Sequence, residues 1–504
     1  MKVYAWLSAA AFAAIAVFAV LFGSLNQDEG WYLYAAQLVG EGKTLYRDFF
    51  FTQGPVMPVV YSFFSWMWRA WGIIGGRALS AVFGALSILF AAALAWRIAR
   101  EGAKAAAAVT VSLVLGSNLY HVYFLSIPKT YSISALALAA GLYLLTFSRE
   151  RRGTAFAFAS GASLALAACT RTSLALVPAA ALAFLVLDRR NRGSAALAFA
   201  LGCAFAGVAA YLPYFVDAKA REGLVAAQLY HAARGGFSPL LVAGSVSRLV
   251  RWYLPMWVLF GLAIAIPACR ADFRRDWLPL LLVSFASCAI LQLCAPFPYD
   301  DYQVPVMPLV AVCAAVAVSS LRPPAVLLAL GMAWASSFGS PLVEDFFTAG
   351  HDRFWVVRKD ASDVSLLKDA ASRIEALDPG GKTLLTQDLY LAIETRRHVP
   401  EGLEMGPFSY WGDAENAPGL DDAGLKRVIE ESPCRVAALS GYSFAITAPS
   451  CMETPLEKQL AFWEAVRDRY ELKCKMPRFG QHSTSLMILA RKGPEGAKGA
   501  EKWR

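Results

Sequence analysis

Long apolar runs, almost free of charge, recur through the first two thirds of this 504-residue chain and constrain its fold more than any other feature. About 20 apolar residues cross the ~30 Å hydrocarbon core of a bilayer as a helix. Helices are required because the backbone finds no water there and must satisfy its own N–H and C=O groups. The runs are Tyr4–Leu25, Arg77–Trp96, Ala103–Phe124, Tyr131–Phe147, Ala155–Cys169, Ser173–Leu187, Ser194–Val216, Trp252–Ala268, Trp277–Ala295, Val304–Leu321 and Ala325–Phe338. Composition agrees: 57% of residues are hydrophobic and 17% charged, against roughly 45–50% and about 25% in soluble domains. The expected fold is an α-helical polytopic membrane protein with about 11 transmembrane helices.

The net charge of +9 does not point to nucleic acid, because much of it lies in short clusters between the apolar runs. These are Arg97, Arg100 and Lys104; Arg149, Arg151 and Arg152; Arg189, Arg190 and Arg192; Arg270, Arg274 and Arg275; and Arg322. All fall on one side if the amino terminus is cytoplasmic, as the positive-inside rule requires. No cleaved signal peptide is expected, since the first run is long enough to span. "PVMPVVYSFFSWMWRAW", Pro55–Trp71, is apolar and aromatic, but counting it as a span would export every basic cluster. It is read as an interfacial or re-entrant helix. Trp31, Tyr34, Ala35 and Leu38 recur at helical spacing, so Glu29–Val39 is expected to be a second interfacial helix.

After Phe338 acids and turn signals take over. Residues 1–340 therefore form the membrane domain and 341–504 an α/β domain, placed outside by the odd number of spans. "KTLLT", "RVAALS" and "STSLMILARK" read as strands, "PLEKQLAFWEAVRDRY" as an amphipathic helix, and the residues from Lys492 as a disordered tail. The nine cysteines are scattered, without CxxC or Cys/His metal spacing. Cys434 and Cys451 bracket a strand–loop segment and are the expected disulfide of an exported domain.

The outward ends of the spans collect polar groups. Asp28 and Glu29 follow the first span; His121 and Lys129 flank the turn in "YHVYFLSIPKTY"; Arg171 lies in "ACTRTS"; Asp300 and Asp301 lie in "PFPYDDYQVP". Ionisable groups at membrane depth cost about 2.5–3.5 kcal/mol each on insertion scales, so they mark function or have partners. Each also has a plain structural reading. Asp28 would cap a helix starting at Glu29, Lys129 and Arg171 would snorkel, His121 would be a satisfied interfacial histidine, and Asp300 and Asp301 would form a turn. Together, acids and cations on one membrane face suit a phosphate-bearing lipid and a proton-accepting base.

"DEGWYLYAAQLVGEGKTLYRDFFFTQGPVMPVVYSFF" resembles the first outer loop of GT-C glycosyltransferases of the protein mannosyltransferase and aminoarabinose transferase type. "GASLALAACTRTSLALVPAAALAFLV" resembles their helical pair with a basic residue near its middle, and "YDDYQVPVMPLVAV" their late loop entering a span through spaced prolines. The resemblance covers the membrane portion. It implies a polyprenyl-phosphate-linked sugar donor, an acceptor (protein, glycolipid or polysaccharide) on the extracytoplasmic face, and inversion in one displacement. By the same resemblance Asp28 matches the catalytic acid and Glu29 its neighbour. Arg171 and Lys129 are the phosphate candidates, with His121, Asp300 and Asp301 as further substrate-binding candidates. Lys129 departs from the pattern, since relatives often carry an acid in that neighbourhood. No cofactor is firmly implied; no acidic cluster demands a metal, and a divalent metal is left open. The implied location is a bacterial inner membrane. A transporter or flippase of a lipid-linked sugar is the rival reading, although the charges gather at one face and no repeat or pair of broken helices is visible. A membrane-anchored sensor would leave the spans unexplained.

Overall fold

The computed structural model describes residues 2–188, 193–233, 237–274, 276–295, 298–338, 361–410, 420–441, 456–481 and 484–493. Every expected span is helical, in keeping with a polytopic membrane fold. By length and composition three helices suffice alone to cross a bilayer, Ile73–Ile98, Gly153–Thr170 and Gly193–Val216. Four further pairs qualify jointly but are bent at a break. Others are short; Met307–Val318 has 12 residues and reaches only about 18 Å at 1.5 Å per residue.

The first bent pair sets up the site. Helix α1 (Lys2–Phe22) turns through 85° into α2 (Gln27–Gly40). Two short helices follow, α3 (Val56–Ser62) and α4 (Ser65–Trp71), and then the long α5 (Ile73–Ile98). Pro55–Trp71 is thus two helices, and its exposed Phe63, Trp66 and Trp71 keep the aromatic face expected at an interface. Helices α6 (Lys104–Gly116) and α7 (Leu119–Ser126) meet at a 74° bend, and α8 (Thr130–Leu145) and α9 (Gly153–Thr170) complete the part that carries the site. The amphipathic Pro239–Trp252 and its neighbour Ala218–Ala233 were not foreseen.

The reading of Glu29–Val39 as a helix resting on the bilayer is corrected. Residues Glu29 to Leu38 are all buried, because the C-terminal domain covers α2. The backbone N–H groups of Leu25 and Gln27 donate to Asp363 Oδ2 (3.0 Å) and Gln481 Oε1 (2.7 Å), and Tyr34 Oη accepts from Val399 N (3.0 Å). Leu33 and Tyr34 share one hydrophobic core with Leu389, Tyr390 and Ile393, whereas the spans pack around a second core.

The C-terminal domain carries an antiparallel sheet of β1 (Val436–Leu439), β2 (Tyr470–Phe479) and β3 (Thr484–Arg491) in the order β1-β3-β2. Ala438 faces Ile488, and Leu472 faces Leu489. "RVAALS" and "STSLMILARK" are strands as expected, the latter central. "KTLLT" is not a strand; Thr383 and Leu385 make only isolated bridges, to His398 and Ala437. The helix expected from "PLEKQLAFWEAVRDRY" is Leu456–Arg469, and β2 directly behind it was not foreseen. The boundary at 340/341, most of the tail and Cys451 lie outside the described residues; Cys434 is buried.

Candidate active site at the first turn of the second helix

Helix α2 begins with a capping box. The Asn26 side chain accepts from Asp28 N (3.1 Å), and Asn26 N donates to Glu29 Oε1 (2.8 Å). Asn26, not Asp28, therefore satisfies the open N–H groups, and the Asp28 carboxylate is not used in the cap. Its place in the first helical turn favours negative charge there.

Asp28 is half-buried and meets residues distant in the chain. Asp28 Oδ2 lies 2.7 Å from Lys129 Nζ, and Oδ1 accepts from Trp31 Nε1 at 3.1 Å. Lys129, the residue before α8, also reaches Asp301 Oδ2 at 2.9 Å, which accepts in addition from Tyr131 Oη at 2.8 Å. One buried ammonium thus joins two carboxylates, and each charge taken out of water has an opposite one at hydrogen-bond distance.

Arg171 ends α9 in an extended conformation. Its Nη1 donates to Thr130 Oγ1 (2.9 Å), and its guanidinium lies over the rings of Tyr131 (4.7 Å) and Tyr302 (5.0 Å). It is buried, its Nε has no hydrogen-bond partner, and among the described residues no carboxylate forms an ion pair with it. A cation held by aromatic faces, with donors to spare, suits a ligand that brings negative charge.

The other expected residues are placed differently. Glu29 is fully buried and faces away from Lys129; Arg77 grips it through Nε to Oε2 (2.6 Å) and Nη2 to Oε1 (2.7 Å). With both oxygens on Arg77, Glu29 does not join Asp28 in the Lys129 cluster. Asp300 accepts from Tyr120 Oη (2.6 Å) and Arg248 Nε (3.0 Å), outside the Lys129 cluster. His121 is buried, with Nδ1 2.9 Å from Tyr253 Oη. The structure thus brings together Asp28, Lys129 and Asp301, sets Arg171 beside them through Tyr131, and keeps Glu29, Asp300 and His121 apart. Sequence reasoning missed Arg77, Trp31, Tyr131 and Tyr302. A signal existed for Arg77, a lone arginine at the mouth of an apolar run. Among the described residues no group of three or more His, Cys, Asp or Glu could hold a metal ion.

The fold has counterparts among solved structures, at low sequence identity. The chain is similar in structure to ArnT from Cupriavidus metallidurans bound to undecaprenyl phosphate, with a TM-score of 0.63 and 14% identity over 97% of this chain and 98% of that one. The apo state of the same protein gives 0.63 and 16% over the same shares. The oligosaccharyltransferase AglB from Archaeoglobus fulgidus, in complex with an inhibitory peptide and a dolichol-phosphate, gives 0.54 and 13% over 92% of this chain and 73% of that one. No known family's sequence profile and no curated protein sequence matches the chain.

Proposed function

We propose that this chain is a membrane glycosyltransferase that moves a sugar from a polyprenyl-phosphate-linked donor to an acceptor on the extracytoplasmic face. One observation carries the reading: a capped helix presents Asp28 beside two buried cations, Lys129 and Arg171, one of them without a carboxylate partner among the described residues. The likeness to structures that hold undecaprenyl phosphate and a dolichol-phosphate supports it. In this reading residues 1–340 form the transferase domain and 341–504 an extracytoplasmic domain. The membrane is a bacterial inner membrane with the amino terminus cytoplasmic.

Asp28 takes the proton of the acceptor hydroxyl as its oxygen bonds to the anomeric carbon. The bond from that carbon to the phosphate oxygen breaks with its electron pair on the polyprenyl phosphate, so the sugar inverts in one displacement. Arg171 and Lys129 stabilise the leaving phosphate where charge builds up, within a site shielded from water. Tyr131 and Tyr302 keep the Arg171 fork in place, and Asp301 orients Lys129. Glu29 acts through Arg77 as a positioning residue.

The test is Asp28→Asn in the full-length protein, with donor lipid and glycan products measured together. Sugar transfer should fall by a factor of ~10²–10⁴, the usual effect of removing a general base, while expression holds and lipid-linked donor accumulates. Transfer near the wild-type rate would sink the assignment of Asp28, and failure of the donor to appear on the outer face would favour a flippase.

A further inference from the structure

We infer that the C-terminal domain carries a second ligand site, a cleft that binds the phosphate of an anionic lipid headgroup at the membrane edge. The cleft has a volume of about 620 Å³ and is lined by Ser372, Glu375, Lys382, Glu394, Arg396 and His398 among others. It is separate from the Asp28 cluster, and no step of the proposed reaction uses it.

Charge selects the ligand. Both carboxylates of the cleft are engaged by the protein. Glu375 Oε2 pairs with Arg397 Nη2 (2.9 Å) and its Oε1 accepts from Gly380 N (2.7 Å), and Glu394 Oε2 accepts from Ile73 N (3.0 Å). The cations are not so committed. Lys382 and Arg396 are exposed and, among the described residues, form no ion pair, and His398 Nε2 lies 3.7 Å from Glu41. Arg396 holds φ 56°, one residue past the helix Leu389–Thr395, where glycine or asparagine is the usual occupant. Arg396 and Lys382 both line the cleft, and a guanidinium with an ammonium suits the oxygens of a phosphate.

Position selects the lipid. Glu394 is bonded to the first residue of α5, a span of 26 residues. At 1.5 Å per residue α5 is about 39 Å long, and the hydrocarbon core is only about 30 Å thick, so its first turn stands in the headgroup layer. Beside it, Trp66 and Trp71 of α4 are 57% and 54% exposed, as side chains facing the interface are. A headgroup lying against α4 therefore meets Lys382 and Arg396 without leaving its leaflet.

The experiment measures lipid retention on the purified full-length protein by native mass spectrometry. The probes are dioleoyl phosphatidylglycerol, dioleoylglycerol with the same chains, and inorganic phosphate. Wild type should retain the phospholipid about tenfold better than the diacylglycerol, a difference of ~1.4 kcal/mol. The double variant Lys382→Gln/Arg396→Gly, whose glycine suits the positive φ, should lose that preference with its melting temperature unchanged. Phospholipid retention by this variant equal to wild type would overturn the site. Inorganic phosphate binding as tightly as the phospholipid would overturn the lipid as its source. Neither readout depends on Asp28, so failure here leaves the proposed reaction standing, and the reverse also holds.

Discussion

Arg77 and Glu29 form a fully buried two-pronged ion pair across the bend between α1 and α2. The same guanidinium donates to the carbonyls of Gly23 (2.9 Å) and Ser24 (3.0 Å), beyond the end of α1. One side chain from α5 therefore ties the end of the first helix to the first turn of the next, and that turn carries Asp28.

Breaking this pair should cost about 3–5 kcal/mol, because the remaining charge would be buried without a partner. Arg77→Met or Glu29→Met alone is expected to lower the melting temperature and folded yield sharply. The double substitution should recover much of the stability while sugar transfer stays low, since the carbonyls of Gly23 and Ser24 lose their donor. Thermal melting alongside transfer assays checks this; single variants that melt like wild type would deny the pair its role.

Arg171→Lys should not be conservative. An ammonium has neither the planar face that lies over Tyr131 and Tyr302 nor the fork that reaches Thr130. Donor-lipid affinity is expected to fall about tenfold, in line with loss of a desolvated cation–π contact and a bidentate donor. Direct binding of the donor lipid measures it, and an unchanged affinity would remove Arg171 from the phosphate site.

Gly30→Ala should loosen the C-terminal domain. A Cβ at Gly30 would stand 2.4 Å from Tyr390 N and 2.8 Å from the Leu389 carbonyl carbon, both rigid backbone atoms. Overpacking of this kind costs roughly 1–3 kcal/mol. Faster limited proteolysis of the C-terminal domain in the variant is the expected outcome, and wild-type resistance would show that the contact relaxes without strain.

The C-terminal domain should be more stable at pH 5 than at pH 8. Burial pushes the Glu404 carboxyl up to about 7 and that of Asp388 up to about 6, against about 4.3 and 3.9 in an unfolded chain. Between those limits the folded state holds more protons than the unfolded one, so stability falls as pH rises through the folded values and levels off above them. Glu404→Gln should flatten the upper part of this dependence in thermal melts. A profile still falling as steeply between pH 6 and 8 in the variant would show that Glu404 is not its source.

Much of this protein was determined by local sequence. Apolar runs such as Arg77–Trp96 can only be helices in hydrocarbon, and the short apolar run in "STSLMILARK" marked a strand, because both signals depend on neighbours a few residues apart. The same signals placed Asp28 and Asp301 among the candidates, since charge beside an apolar run is costly wherever it occurs. "KTLLT" looked like a strand by composition, but only Thr383 and Leu385 find bridge partners.

Tertiary structure alone decided how adjacent acids divide. Neighbouring residues on a helix point about 100° apart, so Asp28 meets Lys129 while Glu29 turns to Arg77. In the next pair Asp301 meets Lys129 and Asp300 meets Tyr120 and Arg248. These partners stand up to 180 residues away in the chain. The burial of α2 likewise depends on Gln481 and Tyr390, which no window around Asp28 contains. Which carboxylate faces a cation is a property of packed distances, and those arise only when the spans, the first loop and the C-terminal domain close on one another.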